Sequence, residues 1–282
     1  AIGYALANSI MIEGTDGVII VDTTESLESA RAIKAEFDKL TQKPVKAIIY
    51  THNHADHIFG GPAFAGDDAP DVYSHALTSE KIEKVIGLLR PIIRKRSYRM
   101  FGLHLDETAR TNAGIGPGLA QQKGSTVGLL RPTHTFDDRL DVTIAGITLQ
   151  LMHAPGETED QLLVWLPKRK ILLSGDNFYK AFPNLYTIRG TAFRDPTKWV
   201  NSLDTMRYLE PEILIPSHTA PLIGKETIYA ALTDYRDAIQ YLHDQTVLGM
   251  NKGLTPDEVV EEIALPSHLR QSPYLKEFYG NI

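Results

Sequence analysis

Cysteine is absent from the 282 residues. That excludes disulfides, thiolate metal ligands and a cysteine nucleophile together, and leaves the redox compartment open. Any metal must then be held by His, Asp or Glu. No stretch approaches the roughly 18–20 apolar residues of a membrane span, and no basic-then-apolar signal segment precedes the first strand-like residues. The chain starts at Ala1 without a methionine, so a processed or trimmed start is expected. Positive charge is not in excess: a net charge of -6 argues against nucleic acid as the main partner. The one glycine-rich stretch, Gly114-Ile115-Gly116-Pro117-Gly118, does not match a phosphate-binding loop. With 43% hydrophobic residues the chain can bury a sizeable core, in one domain or two.

What is present is concentrated in Tyr50-Thr51-His52-Asn53-His54-Ala55-Asp56-His57, after an apolar run from Val45 that reads as a buried strand. Four imidazole and carboxylate groups this close can serve two ions. His52 and His54 are two apart, so an extended strand end points both rings to one side, where they can share a metal. Asp56 and His57 follow where the chain turns, and would face a second ion. The alternative is a polar loop whose histidines only form hydrogen bonds.

Either side of this loop the pattern alternates between strand and helix. Ser9–Glu13 and Val18–Asp22 read as a hairpin around Asp16-Gly17. Leu27, Ala30, Ile33 and Phe37 recur at helical spacing between Ser26 and Leu40. The span 76–131 reads as a mainly helical insertion, with Arg90, Arg94, Lys95, Arg96 and Arg99 either on a solvated face or supplying cations over the site. Leu140 to Met152 reads as two strands around Ala145-Gly146, followed by strands at Leu162–Leu166 and Ile171–Ser174, a helix at Pro196–Leu209 and a last strand at Glu212–Pro216. Beyond Gly224 the chain turns helical, from Thr227 to Met250 and again after Thr255-Pro256. Ligands at the carboxyl ends of strands imply a layered α/β arrangement. Three more candidates follow strands: Glu157, Asp176 and His218.

His-x-His-x-Asp-His after a strand, the Pro155-Gly156-Glu157-Thr158 loop, Ser174-Gly175-Asp176 and the late His218 together resemble the metallo-β-lactamase superfamily, in order across residues 8–224. The resemblance implies an αββα sandwich with metals at one edge between two sheets. The usual pattern of that superfamily puts a third histidine where this chain has Glu157. Ala154-Pro155-Gly156-Glu157, with the run from Ser174 to Gly190, resembles the alkylsulfatase (type III sulfatase) branch, in which Glu occupies that slot. Asp244-Gln245-Thr246, Gly253-Leu254-Thr255-Pro256 and Phe278-Tyr279-Gly280 are similar to the branch's linker into a helical dimerisation region. One departure stands: the bridging acid of some alkylsulfatases is Glu, whereas here it is Asp176.

Carried over by position, the resemblance implies one metal on His52, His54 and Glu157 and another on Asp56, His57 and His218, with Asp176 between them. Two Zn2+ are expected, with Mn2+ or Fe2+ compatible with the same ligands. His153 is the rival for the first metal's third ligand, and His104 lies in the insertion. The implied reaction is hydrolysis of an alkyl sulfate to alcohol and inorganic sulfate by a water that both metals activate. Asn184, Tyr186 and Arg189 are the expected sulfate contacts, Tyr98 and Arg99 weaker ones, and Asp160 the expected orienting acid. Phe101, Leu103, Ile115 and Leu119 are expected to line a trough for the alkyl tail. The resemblance further implies a catalytic unit over 1–224, a helical extension over 225–282, a homodimer, and a periplasmic or secreted location. Alternatives are a hydrolase of lactones, β-lactams or thioesters on the same fold, or an inactive binding module.

Overall fold

Short β-branched runs and amphipathic segments form two sheets with helices on their outer faces. The structure, a computed structural model, describes residues 1–119 and 124–282. Residues 120–123, part of the expected helical insertion, lie outside the described residues.

Strands β1 (Ile10–Glu13) and β2 (Val18–Val21) form the expected hairpin. Helix α1 (Leu27–Phe37) follows, its Ser26 cap accepting from the Ser29 amide, and β3 (Val45–Ile49) returns parallel to β2. Two helical turns, α2 (Ala55–Ile58) and α3 (Gly61–Ala65), lead into β4 (Asp71–His75). The following segment is helical early, in α4 (Thr78–Ile82), a π-helical stretch Glu83–Leu88 and α5 (Arg90–Met100). After a 3-10 turn at Glu107–Ala109 its described residues contain no further helix before β5 (His134–Phe136).

The second half is built from β6 (Arg139–Ile144), β7 (Ile147–His153), β8 (Leu162–Leu166), β9 (Ile171–Gly175), α6 (Pro196–Tyr208), β10 (Ile213–Pro216) and β11 (Leu222–Ile223). Helices α7 (Lys225–Asn251), α8 (Pro256–Glu262) and α9 (Ser267–Gln271) end it, with a capping box between Thr255 and Glu258 on α8. Among the described residues, the sheets run β1-β2-β3-β4-β5 and β11-β10-β9-β8-β7-β6.

Pleating assigns the two faces of each strand to different cores. Ile19 and Val21 of β2 join Ala47, Ile49, Leu149, Leu151 and Val164 between the sheets. Val18 and Ile20 face the other way, onto Ala30, Ile33 and Phe37 of α1. All four residues of β2 are buried, as expected of a strand covered on both faces. Beyond the second sheet, Leu163 and Leu172 share a core with Trp199 and Leu203 of α6 and Leu232, Tyr235 and Ile239 of α7. The layers are therefore α, β, β, α, and α7 belongs to the outer one. No helix among the described residues is long and apolar enough to cross a membrane.

Candidate metal centre

The carboxyl ends of β2, β3, β9 and β10, and the loop after β7, meet at one edge of the sandwich. Asp176 follows Gly175, whose φ of +54° would strain any other residue there. Gly156 serves similarly beside Glu157: a Cβ there would lie 2.9 Å from Trp199. The backbone shape that delivers both acids depends on these glycines.

Two groups of ligand atoms result, His52, His54, Glu157 and Asp176 in one and Asp56, His57 and His218 in the other. His52 Nε2 lies 2.9 Å from His54 Nδ1, and Glu157 Oε2 lies 3.5 Å from the same Nδ1. Asp56 Oδ2 is 3.4 Å from the Nε2 atoms of both His57 and His218. Asp176 Oδ2 reaches both groups, at 3.7 Å from His52 Nε2, 3.5 Å from His57 Nε2 and 3.2 Å from His218 Nε2. All seven expected ligands converge. His153 does not: it stacks on His75 at 3.9 Å and hydrogen-bonds the Glu159 carbonyl through Nε2.

The rings of His57 and His218 are held so that one nitrogen of each is left for the centre. His57 Nδ1 donates to Asp22 Oδ2 at 2.8 Å, and His218 Nδ1 donates to the Leu6 carbonyl at 2.8 Å. Asp22 also accepts from the Thr51 amide and hydroxyl, at 2.8 and 2.9 Å, and from Ser217 Oγ at 2.7 Å. Its backbone is in the left-handed region, at φ +59°, which turns the chain back toward His57. The expected orienting acid, Asp160, instead accepts from Asn53 of the motif loop at 2.6 Å. Asp22 was readable by the rule that found Glu157 and Asp176, since it too follows a strand.

The donor set fits divalent metal ions. Buried His57 Nε2 and Asp176 Oδ1 have no hydrogen-bond partner although both sit in the cluster. Neighbouring donor atoms 2.9–3.7 Å apart bracket the edge of roughly 3.3 Å expected of a tetrahedron with ~2.0 Å bonds. Without ions the cluster balances its charge with protons. Burial opposes a charge on His57, but Asp176, Asp56 and Asp22 outweigh it and hold the ring well above its ordinary range. His218 is raised to about 9, again against burial, by Asp176 and Asp56. His52 is pushed down by burial and by neighbouring His57. For Asp176 and Asp56 burial is overcome by the same histidines, and both carboxyls lie well below the usual range. Bound ions would replace these protons.

Over the centre lies a cleft of about 320 Å³. Arg189 lines it, its Nη2 3.5 Å from His54 Nε2. Ile93, Tyr98, Phe101 and Leu119 from the inserted segment form its far wall, and Tyr279 enters from the carboxyl-terminal stretch. Of the other expected sulfate contacts, Tyr98 therefore lines this cleft, while Asn184, Tyr186 and Arg99 do not. Asn184 and Tyr186 line a neighbouring cavity of about 460 Å³, with Tyr186 70% exposed. Arg99 and His104 line neither cavity, nor do Leu103 and Ile115; Ile115 is buried with Leu6 and Tyr179. Arg194, which the sequence did not single out, donates to Glu157 Oε1 at 2.7 Å.

Comparison with known proteins agrees with this geometry. The metallo-beta-lactamase superfamily model matches residues 3–218. A linear primary-alkylsulfatase of Pseudomonas sp. (strain ATCC 19151) is 44% identical over 96% of this chain and 53% of its own length. The alkyl/aryl-sulfatase BDS1 of Saccharomyces cerevisiae is 30% identical over 99% of this chain and 45% of its own. The solved structure of the stereoselective inverting sec-alkylsulfatase Pisa1 from Pseudomonas sp. superposes with a TM-score of 0.91 at 27% identity, covering 99% of this chain and 46% of that one. The chain thus spans about half the length of these relatives. It belongs to the metallo-beta-lactamase superfamily, and among that superfamily's members it follows the alkylsulfatases along nearly its whole length.

Proposed function

We propose that this chain carries the active site of a metal-dependent alkylsulfatase, hydrolysing alkyl sulfate esters to an alcohol and inorganic sulfate. The observation that carries the reading is a cleft joining three features: the seven-ligand centre, Arg189 beside it, and an apolar wall from Ile93, Phe101 and Leu119. An ester with a charged head and a hydrocarbon tail matches that division.

His52, His54 and Glu157 would hold one ion, Asp56, His57 and His218 the other, and Asp176 both; zinc is the metal proposed. When bound, the ions supply Lewis acidity and a water acidified to near-neutral pH. Arg189 would grip the sulfate oxygens with its planar fork and carry charge that develops on the departing sulfate. Asp22 holds a proton of His57 on Nδ1, which would leave Nε2 to serve as the ligand. The apolar wall excludes water from the tail and favours longer chains.

The relative Pisa1 is an inverting enzyme. Inversion means attack at carbon, and the same course is proposed here, with the C–O bond broken and sulfate leaving intact. In 18O-labelled water the label should enter the alcohol; label in sulfate would reject that course. The alkylsulfatase likeness also supports a homodimer, which the mass in solution would test, and a periplasmic or secreted location, which fractionation would test. Activity itself is tested by incubating metal-loaded protein with dodecyl sulfate and assaying free sulfate. No release above a His54→Ala control rejects the proposed substrate.

A further inference from the structure

A buried cation stands behind the candidate metal centre. Arg194, in the loop before α6, is 4% exposed. Its Nη1 donates to Glu157 Oε1 at 2.7 Å and also to the Asn184 carbonyl. Its Nε and Nη2 are buried without a hydrogen-bond partner. A guanidinium in such a place is costly, and Glu157 is the one carboxylate that pairs with it among the described residues.

The carboxylate of Glu157 is divided as a result. Oε1 faces Arg194, while Oε2 faces the centre, 3.5 Å from His54 Nδ1. One oxygen is left to act as a ligand, as a single ring nitrogen would. The charge follows the same logic: the superfamily pattern described above has a neutral histidine in this slot, Glu157 brings one negative charge, and Arg194 cancels it.

We propose that Arg194 is a positioning residue that makes Glu157 the electrostatic and geometric equivalent of a histidine ligand. It fixes which oxygen faces the ions and cancels the added negative charge. It thereby preserves the centre's attraction for an anionic ester. The inference rests on the reading that the site holds two ions.

The consequence is compensation between two positions. With Glu157→His alone, Arg194 is a buried cation without a counter-charge, pressed against an imidazole. With Arg194→Met alone, Glu157 is free to rotate and keeps its full charge. Removing both charges together, in E157H/R194M, should restore a neutral ligand in a neutral setting.

The test measures bound metal in the wild type, R194K, R194M, E157H and E157H/R194M. Each is reconstituted with excess Zn2+, desalted and analysed by elemental analysis, its fold is checked by circular dichroism, and zinc affinity is read by competition with a chromophoric chelator. The wild type should retain two zinc ions. R194M and E157H should each bind the weaker ion at least tenfold less tightly, R194K should recover part of the loss, and the double variant should bind more tightly than either single one. Wild-type zinc affinity in R194M, or a double variant no better than the worse single one, would overturn the proposal. A double variant that fails to fold would overturn it as well, since removing both charges should relieve the buried cation. A wild type that retains no zinc would instead reject the metal reading beneath it.

Discussion

Asp22 and His57 lie 35 positions apart and meet at 2.8 Å, the carboxylate accepting from ring Nδ1 at the floor of the metal cluster. The other Asp22 bonds tie together Thr51, at the start of the motif loop, and Ser217, which precedes His218. One carboxylate therefore sets the ring of one ligand and joins the strand ends that carry two more. Asp22→Ala should weaken metal binding about 10–100-fold, as loss of a ligand's hydrogen-bond partner typically does. In metal-free protein it should cost roughly 3–5 kcal/mol of stability, because His57 keeps its charge and loses a partner. Chelator competition and denaturant unfolding measure the two effects; wild-type metal affinity in the variant would show that His57 needs no such support.

Arg189 and Tyr186 are neighbours in sequence with different surroundings, the first in the cleft over the centre and the second largely exposed in the adjoining cavity. Arg189→Ala should lower kcat/KM for alkyl sulfates by about 10²–10³. Tyr186→Phe should stay within about twofold, as surface substitutions usually do. Steady-state kinetics on both variants decides: equal losses would mean that the loop closes over substrate and brings Tyr186 in.

Phe101 lines both cavities, so its ring helps to separate the site cleft from the space beside it. Phe101→Ala should join the two, weakening the preference for long unbranched chains and admitting branched ones. Comparing kcat/KM for hexyl, dodecyl and branched sulfates reads this directly. A methylene in an apolar pocket is worth about 1–3 kcal/mol, so an unchanged chain-length profile would place the tail elsewhere.

His75 is held below its ordinary pKa, first by burial and then by the stacked His153 ring. A base depressed in the folded state stabilises it fully above the unfolded value of 6.5. That contribution is lost as pH falls from 6.5 toward the lower folded value, because the unfolded chain takes up the proton more readily. Replacing His75 with Gln should therefore reduce the fall in stability between pH 7.5 and 5.5, as measured by urea midpoints; a slope steeper than wild type would contradict the assignment.

The centre was legible where its chemistry is written locally. His52, His54, Asp56 and His57 are adjacent in the chain, and Glu157, Asp176 and His218 each follow a strand whose apolar run announces it. The sandwich was legible for the same reason, through the nearly continuous apolar runs of β2, β3, β8 and β9. Arg194 was not, since its pairing with Glu157 crosses 37 positions and leaves no periodic trace. Asn184 and Tyr186 were grouped with Arg189 through the family resemblance of the run from Ser174 to Gly190, and in the structure they line a second cavity. The described residues after α5 have little periodicity because Phe101, Leu119 and Val127 among them line the cleft instead of completing a layer. Tyr279 likewise reaches the site from a stretch without regular structure, held by the bond from the Gly280 amide to the Phe182 carbonyl.

The proposed function requires these seven side chains to form one two-metal centre that hydrolyses sulfate esters. The most direct measurement adds Zn2+ in steps to metal-free protein, following bound metal by elemental analysis and sulfate release from dodecyl sulfate at each step. Activity should rise to a plateau at two ions per chain and be lost when Asp176, placed between both groups, becomes Asn. Two tightly bound ions with no sulfate released, or full activity in Asp176→Asn, would contradict it.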